Sequence, residues 1–225
     1  VYREQISLLE KAGVDLLVVE TMMSLAEARA ALIAAREVCD LPVMVSLTFE
    51  SDGRTLFGTD AETAAVVLES LGADAVGVNC STGPAGMRQI VTDMAAATAE
   101  IPILAKPNAG LPCLDGEGRS CYSLGPEAFV EEMELLAGAG ASVLGGCCGT
   151  DPDYIRLLRE RIGKGCVPGV LRRKKGVRQL TSERRTVHFE LDGSFLVVGE
   201  RINPTGKKLL QAQLREGNFD RVLQF

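Results

Sequence analysis

The sequence predicts an α/β fold, made of strands four to eight of a (β/α)8 barrel, then a linker and the first βα unit of a second barrel. Three observations predict it. First, Leu9–Glu20, Leu68–Asn79 and Leu136–Cys147 repeat one pattern. Each reads as a helix end, a glycine (Gly13, Gly72, Gly140) suited to a left-handed C-cap, and an apolar strand. Second, Leu41–Thr48 and Ile101–Asn108 share another pattern, in which a proline opens the strand where its missing N–H is harmless. Third, the two strand types alternate at roughly 30-residue intervals, with helix signals between them. Continuous apolar strands alternating with helices imply a parallel sheet with helices outside, and alternation of two strand types suits a barrel whose alternate strands fill shared core layers. A doubly wound sheet is the runner-up, but no G-x-G-x-x-G loop supports it. Five strands cannot close a barrel that typically takes about 250 residues, so about three βα units are expected upstream.

The elements follow in order. Tyr2–Ala12 reads as a helix already in stride at Val1, which suggests a fragment. After the strand ending at Glu20, Ser24 with Glu27 forms a capping box, as does Thr59 with Glu62 after the Leu41–Thr48 strand. Pro84, Pro126 and Pro152 suit first-turn positions, the last behind an Asp151 N-cap. Residues 1–162 carry a net charge of −13 and residues 163–225 a net of +7, which places a boundary near 163. Residues 163–194 read as a basic linker, with Gly163, Gly165, Pro168 and Gly169 ahead of Arg172–Lys175. The basic run lacks interleaved aromatics, so it reads as a solvated linker and not a nucleic-acid site. From 195 to 225 a new strand begins at Phe195, followed by a helix from about Lys207.

Composition excludes several classes. No run of about 18 apolar residues exists, so no membrane-spanning helix is expected, and no leader-like segment opens the chain. Seven cysteines in 225 residues are too sparse for a disulfide scaffold, which favours free or metal-bound thiols in the cytoplasm. The single histidine, His188, rules out an HExxH zinc site.

Barrel sites lie at the C-terminal ends of strands. The pattern alignment puts Glu20, Thr48, Asn79–Cys80, Asn108 and Cys147–Cys148 on that face. Three thiolates meeting there would hold zinc with one coordination position open, an arrangement suited to activating a substrate thiol. Buried cysteines also serve as small hydrophobes, the reading kept for Cys39, while Cys113, Cys121 and Cys166 read as ordinary surface or loop residues. Glu20 is either a core-edge carboxylate paired with Lys or Arg, or a ligand for a substrate ammonium. Asn79 and Asn108 are candidate substrate-binding residues on the same face.

The motifs Gly77-Val-Asn-Cys-Ser-Thr-Gly-Pro84 and Gly145-Gly-Cys-Cys-Gly-Thr150 resemble the zinc motifs of the homocysteine S-methyltransferase family. Val45–Phe49 with Gly53–Thr59, and Pro107–Pro112, resemble the same family, and the match covers residues 1–162. The resemblance implies a TIM-barrel domain that binds homocysteine, with Cys80, Cys147 and Cys148 as zinc ligands and Glu20 as the acid that binds the substrate amino group. A second stretch, Val197-Val-Gly-Glu-Arg-Ile-Asn-Pro-Thr-Gly206, resembles the opening of the pterin-binding domain of cobalamin-dependent methionine synthases. That implies cofactor-binding roles for Glu200, Asn203, Thr205 and Gly206. It also implies methyl transfer to homocysteine, with cobalamin and methyltetrahydrofolate acting through modules outside these residues. The family's first three strands are absent, so an alternative expectation is a non-catalytic fragment, or half of a split enzyme that needs an N-terminal partner.

Overall fold

The computed structural model describes residues 1–99, 101–114, 116–163, 177–190, 193 and 203–223. The chain forms two compact units, Val1–His188 and Phe189–Phe225. The first opens with α1 (Tyr2–Lys11), β1 (Leu17–Met22), α2 (Leu25–Val38), β2 (Val43–Leu47), α3 (Ala61–Ser70), β3 (Ala75–Asn79), α4 (Pro84–Ala97) and β4 (Ile103–Lys106). A small antiparallel hairpin follows, β5 (Pro112–Leu114) with β6 (Ser120–Tyr122), then α5 (Pro126–Ala139), β7 (Ala141–Leu144) and α6 (Pro152–Ile162). Next come β8 (Arg178–Thr181) and β9 (Thr186–Phe189); beyond them lie α7 (Lys208–Arg215) and α8 (Asp220–Leu223).

The main sheet has five parallel strands in the order β1-β2-β3-β4-β7. This is the order of the chain, without the reversal that marks a doubly wound sheet. One face is sealed by helices. Val43, Val45, Leu47, Val76, Val78, Ile103 and Ala105 are buried in one cluster with Leu32, Leu68, Met87, Met94, Met133 and Leu136 from the helices.

The punctuation works as the sequence suggests. Gly13, Gly72 and Gly140 close their helices at φ of 82°, 89° and 122°, where a side chain would be strained. Pro42 and Pro102 sit just before β2 and β4, and their carbonyls accept from Leu17 N (2.9 Å) and Val76 N (3.2 Å). The prolines therefore still feed the ladder as acceptors. Ser24 caps α2, and Asp151 caps α6 with Pro152 in its first turn.

One cap is corrected. Asp60, not Thr59, caps α3, accepting from Thr63 N at 2.9 Å. The Thr59 hydroxyl is spent elsewhere, donating to the Glu183 carbonyl at 2.8 Å. That bond shows a second difference: part of the 163–194 segment is more than a linker. The β8–β9 turn lies on α3 and the loop before it, with Thr63 and Thr186 hydroxyls 3.0 Å apart and a His188–Glu62 pair. Short polar strands with little apolar alternation hid this hairpin from the sequence pattern. The Arg172–Lys175 run, Cys166 and the strand expected from Phe195 lie outside the described residues. The helix expected near Lys207 is α7.

Candidate metal centre

The three cysteines singled out by sequence converge. Cys80 follows β3, while Cys147 and Cys148 follow β7, and their sulfurs all lie within 4.8 Å of one another. Cys80 Sγ is 3.8 Å from Cys148 Sγ, and Cys147 Sγ is 3.9 Å from Cys148 Sγ. Thiolates bound tetrahedrally to zinc at about 2.3 Å stand about 3.8 Å apart, so the spacing fits that ion.

Backbone bonds fix each sulfur's base. Cys80 N donates to the Lys106 carbonyl and Cys147 N to the Pro107 carbonyl, so the end of β4 and the residue after it support both sides of the cluster. Asn108 Oδ1 accepts from Cys148 N at 3.1 Å. Thr150 turns back on the Cys147 carbonyl through both its N–H and its hydroxyl.

Charge is disfavoured on the bare Cys147 thiol. Burial, then the neighbouring Cys80 and Cys148, push the Cys147 thiol up to about 11. A cation would reverse that preference, because a coordinating thiol loses its proton.

Asn79 and Asn108 reach the site end of the sheet as positioning residues. Asn79 is fully buried. Its Oδ1 accepts from Ser46 Oγ (2.7 Å) and Thr21 N (3.1 Å), and its Nδ2 donates to Thr21 Oγ1 (2.7 Å). It ties the ends of β1, β2 and β3 together. Asn108 is 5% exposed and orients Cys148. Thr48, also named from sequence, shares a 2.6 Å hydrogen bond with Ser81 beside Cys80.

Glu20 forms an ion pair with Lys106, reaching from β1 to β4 across the same end of the sheet. Of its two expected roles, the paired carboxylate is the one present. Both partners are part-exposed, so the pair is open to exchange with an incoming charge.

Two site residues escaped the sequence reading. Lys106 carried a signal: a lone cation ending the apolar run Ile103–Ala105. Tyr122 carried none, sitting in a polar, glycine-containing stretch. Its side chain lies by Cys148, and burial, then that thiol, hold its phenol above the usual value. A Cβ on Gly149, whose φ is 80°, would lie 2.3 Å from the Tyr122 ring.

Cys113 and Cys121 are corrected. They are not unpaired loop cysteines but a disulfide between β5 and β6. The hairpin register sets them directly opposite, with Cα atoms 5.0 Å apart, and spacing along the chain does not reveal such a pairing. Cys39 is the buried apolar cysteine expected.

In the second unit, Thr205 N donates to Asn203 Oδ1 at 2.9 Å and Gly206 takes φ 75°. The two form a tight polar turn ahead of α7; Glu200 lies outside the described residues.

No helix among the described residues is long and apolar enough to cross a membrane. Residues 1–162 match the family model for homocysteine S-methyltransferase. The chain is 33% identical over 220 residues to a methionine synthase of Mycobacterium leprae, covering 94% of this chain and 18% of that protein. It is 34% identical to a methionine synthase of Mycobacterium tuberculosis with the same coverage. It thus spans about a fifth of the curated relatives it matches. The apo homocysteine methyltransferase MmuM of Escherichia coli shares the fold, with a TM-score of 0.56 at 22% identity, over 71% of this chain and 57% of that one. Family model, relatives and fold agree: the chain belongs to the homocysteine S-methyltransferase family.

Proposed function

We propose that the chain belongs to a methionine synthase that transfers a methyl group to homocysteine. Methylcobalamin would donate the methyl and be recharged from 5-methyltetrahydrofolate. In this reading residues 1–162 are strands four to eight of the homocysteine-binding (β/α)8 barrel. Residues 163–194 lead to residues 195–225, which open a pterin-binding barrel where Glu200, Asn203, Thr205 and Gly206 would meet the pterin. Cobalamin and folate would act through further modules, in the cytoplasm, with no nucleic acid or membrane partner. Support comes from the methionine synthase relatives and from the chain-order strand arrangement.

The observation that carries the reading is the three-sulfur cluster at the C-terminal ends of parallel strands. Cys80, Cys147 and Cys148 would hold zinc, and when bound it would lower the pKa of a substrate thiol so that a thiolate exists near neutral pH. Asn108 and Thr150 aim the cysteine backbone, and Asn79 braces the strand ends beneath. Glu20 would release Lys106 and take the substrate ammonium. That exchange holds the amino acid beside the sulfurs without a general base, in keeping with His188 being paired with Glu62.

The test is metal content. Purified protein loaded with zinc should retain about one ion per chain, and Cys147→Ser should lose it. Equal content in both would sink the ligand assignment. A second reading is a non-catalytic piece, or half of a split enzyme. It is favoured by β1 and β7, which end the strand order and leave one edge each without a partner strand among the described residues. Val18 on β1 is 46% exposed. Restored methyl transfer on adding the preceding strands would support it as a dependent half.

A further inference from the structure

The structure holds a second pair of sulfurs beside the metal centre. Cys113 and Cys121 are joined across the β5–β6 hairpin. Cys113 is exposed and Cys121 half-buried, so the bond is open to solvent. The hairpin stands apart from the main sheet as a two-stranded piece with three residue pairs. Such a hairpin is marginal without a further constraint. Its last rung pairs Tyr122 with Pro112, which has no N–H to donate, so the backbone tie at that rung is weakened. The rung beside it is the disulfide. Tyr122, next in the chain, lies on Gly149, the residue that follows Cys148. Three thiols that need a reducing setting thus sit one residue away from an exposed disulfide. Disulfides in such settings are mostly transient and redox-sensing.

We propose that Cys113 and Cys121 are a reversible thiol–disulfide exchange site that controls how firmly Tyr122 covers the Cys80–Cys147–Cys148 centre. The reactant class is a small thiol/disulfide couple such as glutathione. In the oxidising direction the Cys113 thiolate attacks one sulfur of the small disulfide, forming a mixed disulfide and expelling one thiolate. The Cys121 thiolate then attacks the Cys113 sulfur and expels the second. The pair gives up two electrons and two protons, and the small disulfide becomes two thiols. In the closed form the covalent rung holds Tyr122 on Cys148. In the open form the Pro112–Tyr122 end of the hairpin frays, the phenol leaves, and the centre becomes more accessible.

The experiment uses the whole chain, equilibrated in glutathione buffers of graded oxidation. Alkylation with mass analysis should show Cys113 and Cys121 gaining or losing two alkyl groups together, with Cys39 unchanged. Amide exchange over 112–122 should be slow in the oxidised form and fast in the reduced form. With cobalt loaded, chelator-driven metal release should be about tenfold faster when the pair is reduced, the low end for losing an outer partner of a ligand. Cys113→Ser/Cys121→Ser should exchange fast and release fast at every poise. Tyr122→Phe should keep slow hairpin exchange yet release metal as fast as the reduced form. A pair that stays reduced at every poise would overturn the proposal, as would one that oxidises without slowing exchange over 112–122. The metal arm rests on the zinc reading. A chain that takes no cobalt would sink that reading, and the alkylation and exchange arms would still decide this one.

Discussion

Replacing Asn79 with alanine tests whether this residue braces the site or touches substrate. The side chain is fully buried and makes three hydrogen bonds, to Ser46 Oγ, Thr21 N and Thr21 Oγ1. Truncation leaves their partners without a mate among buried strand ends. At about 1 kcal/mol of net contribution per bond, the loss is about 3 kcal/mol, and the desolvated partners make that a lower bound. With a urea slope near 3 kcal/mol per molar, the unfolding midpoint should fall by about 1 M. The chain has no tryptophan, so far-UV circular dichroism is the probe. A midpoint within about 0.3 M of the parent would refute the bracing role. So would unchanged stability with weakened homocysteine binding, because that pattern belongs to a substrate contact.

The other predictions concern capping, packing and charge. Asp60→Ala should cost about 1 kcal/mol in denaturant unfolding through the lost α3 cap. Gly77→Ala should cost about 3 kcal/mol or prevent folding, since its Cβ would fall 2.0 Å from the Leu104 carbonyl oxygen; a folded variant of parent stability would contradict the packing. Metal capture at pH 8 should release the Cys147 proton, because that thiol titrates near 11, so affinity should rise with pH; calorimetry in buffers of different ionisation enthalpy reads the proton count. Burial opposes charge on Asp74, but the Val43 N–H and Arg36 outweigh it and hold its carboxyl below the usual value. Its stabilising share is therefore present above the ordinary carboxylate pKa and lost as pH falls through the lowered one. The stability gap between the parent and Asp74→Asn should close on acidification.

Much of this was legible in the sequence, and particular residues show why. Gly13, Gly72 and Gly140 mark helix ends because glycine takes those positive angles without strain, and a seven-residue count from them reaches Glu20 within β1, Asn79 at the end of β3 and Cys147 just beyond β7. The cysteines were legible because their residue type restricts the chemistry so strongly. Other features depended on contacts that a linear pattern does not encode. Thr59 and Asp60 are both capable caps, and the choice was settled by Glu183, far along the chain, taking the Thr59 hydroxyl. Lys106 and Glu20 are far apart in sequence, and only the strand order brings them together. The Cys113–Cys121 bond needed the hairpin register, and Tyr122 needed the path that the hairpin takes over Gly149.

The cluster also departs from strand geometry in a way that explains its strain. Neighbouring side chains on a strand point to opposite faces. Asn79 uses the last strand position of β3 to brace the sheet, so an extended Cys80 would be aimed away from it. Instead Cys80 and Ser81 take φ of 62° and 55°, and Thr21 at the matching end of β1 takes 60°. Each such non-glycine residue costs about 1–2 kcal/mol. The cost is borne where bonds over-determine the fold: Thr21 is held twice by Asn79, Ser81 by Thr48, and Cys80 by the Lys106 carbonyl. Cys147 and Cys148 lie beyond β7, outside the alternation, so adjacent sulfurs can stand 3.9 Å apart and face one point. The buried Asn79, a substrate-binding candidate from sequence, thus holds Thr21 in its left-handed conformation at the end of β1, as the Lys106 carbonyl holds Cys80 at the end of β3.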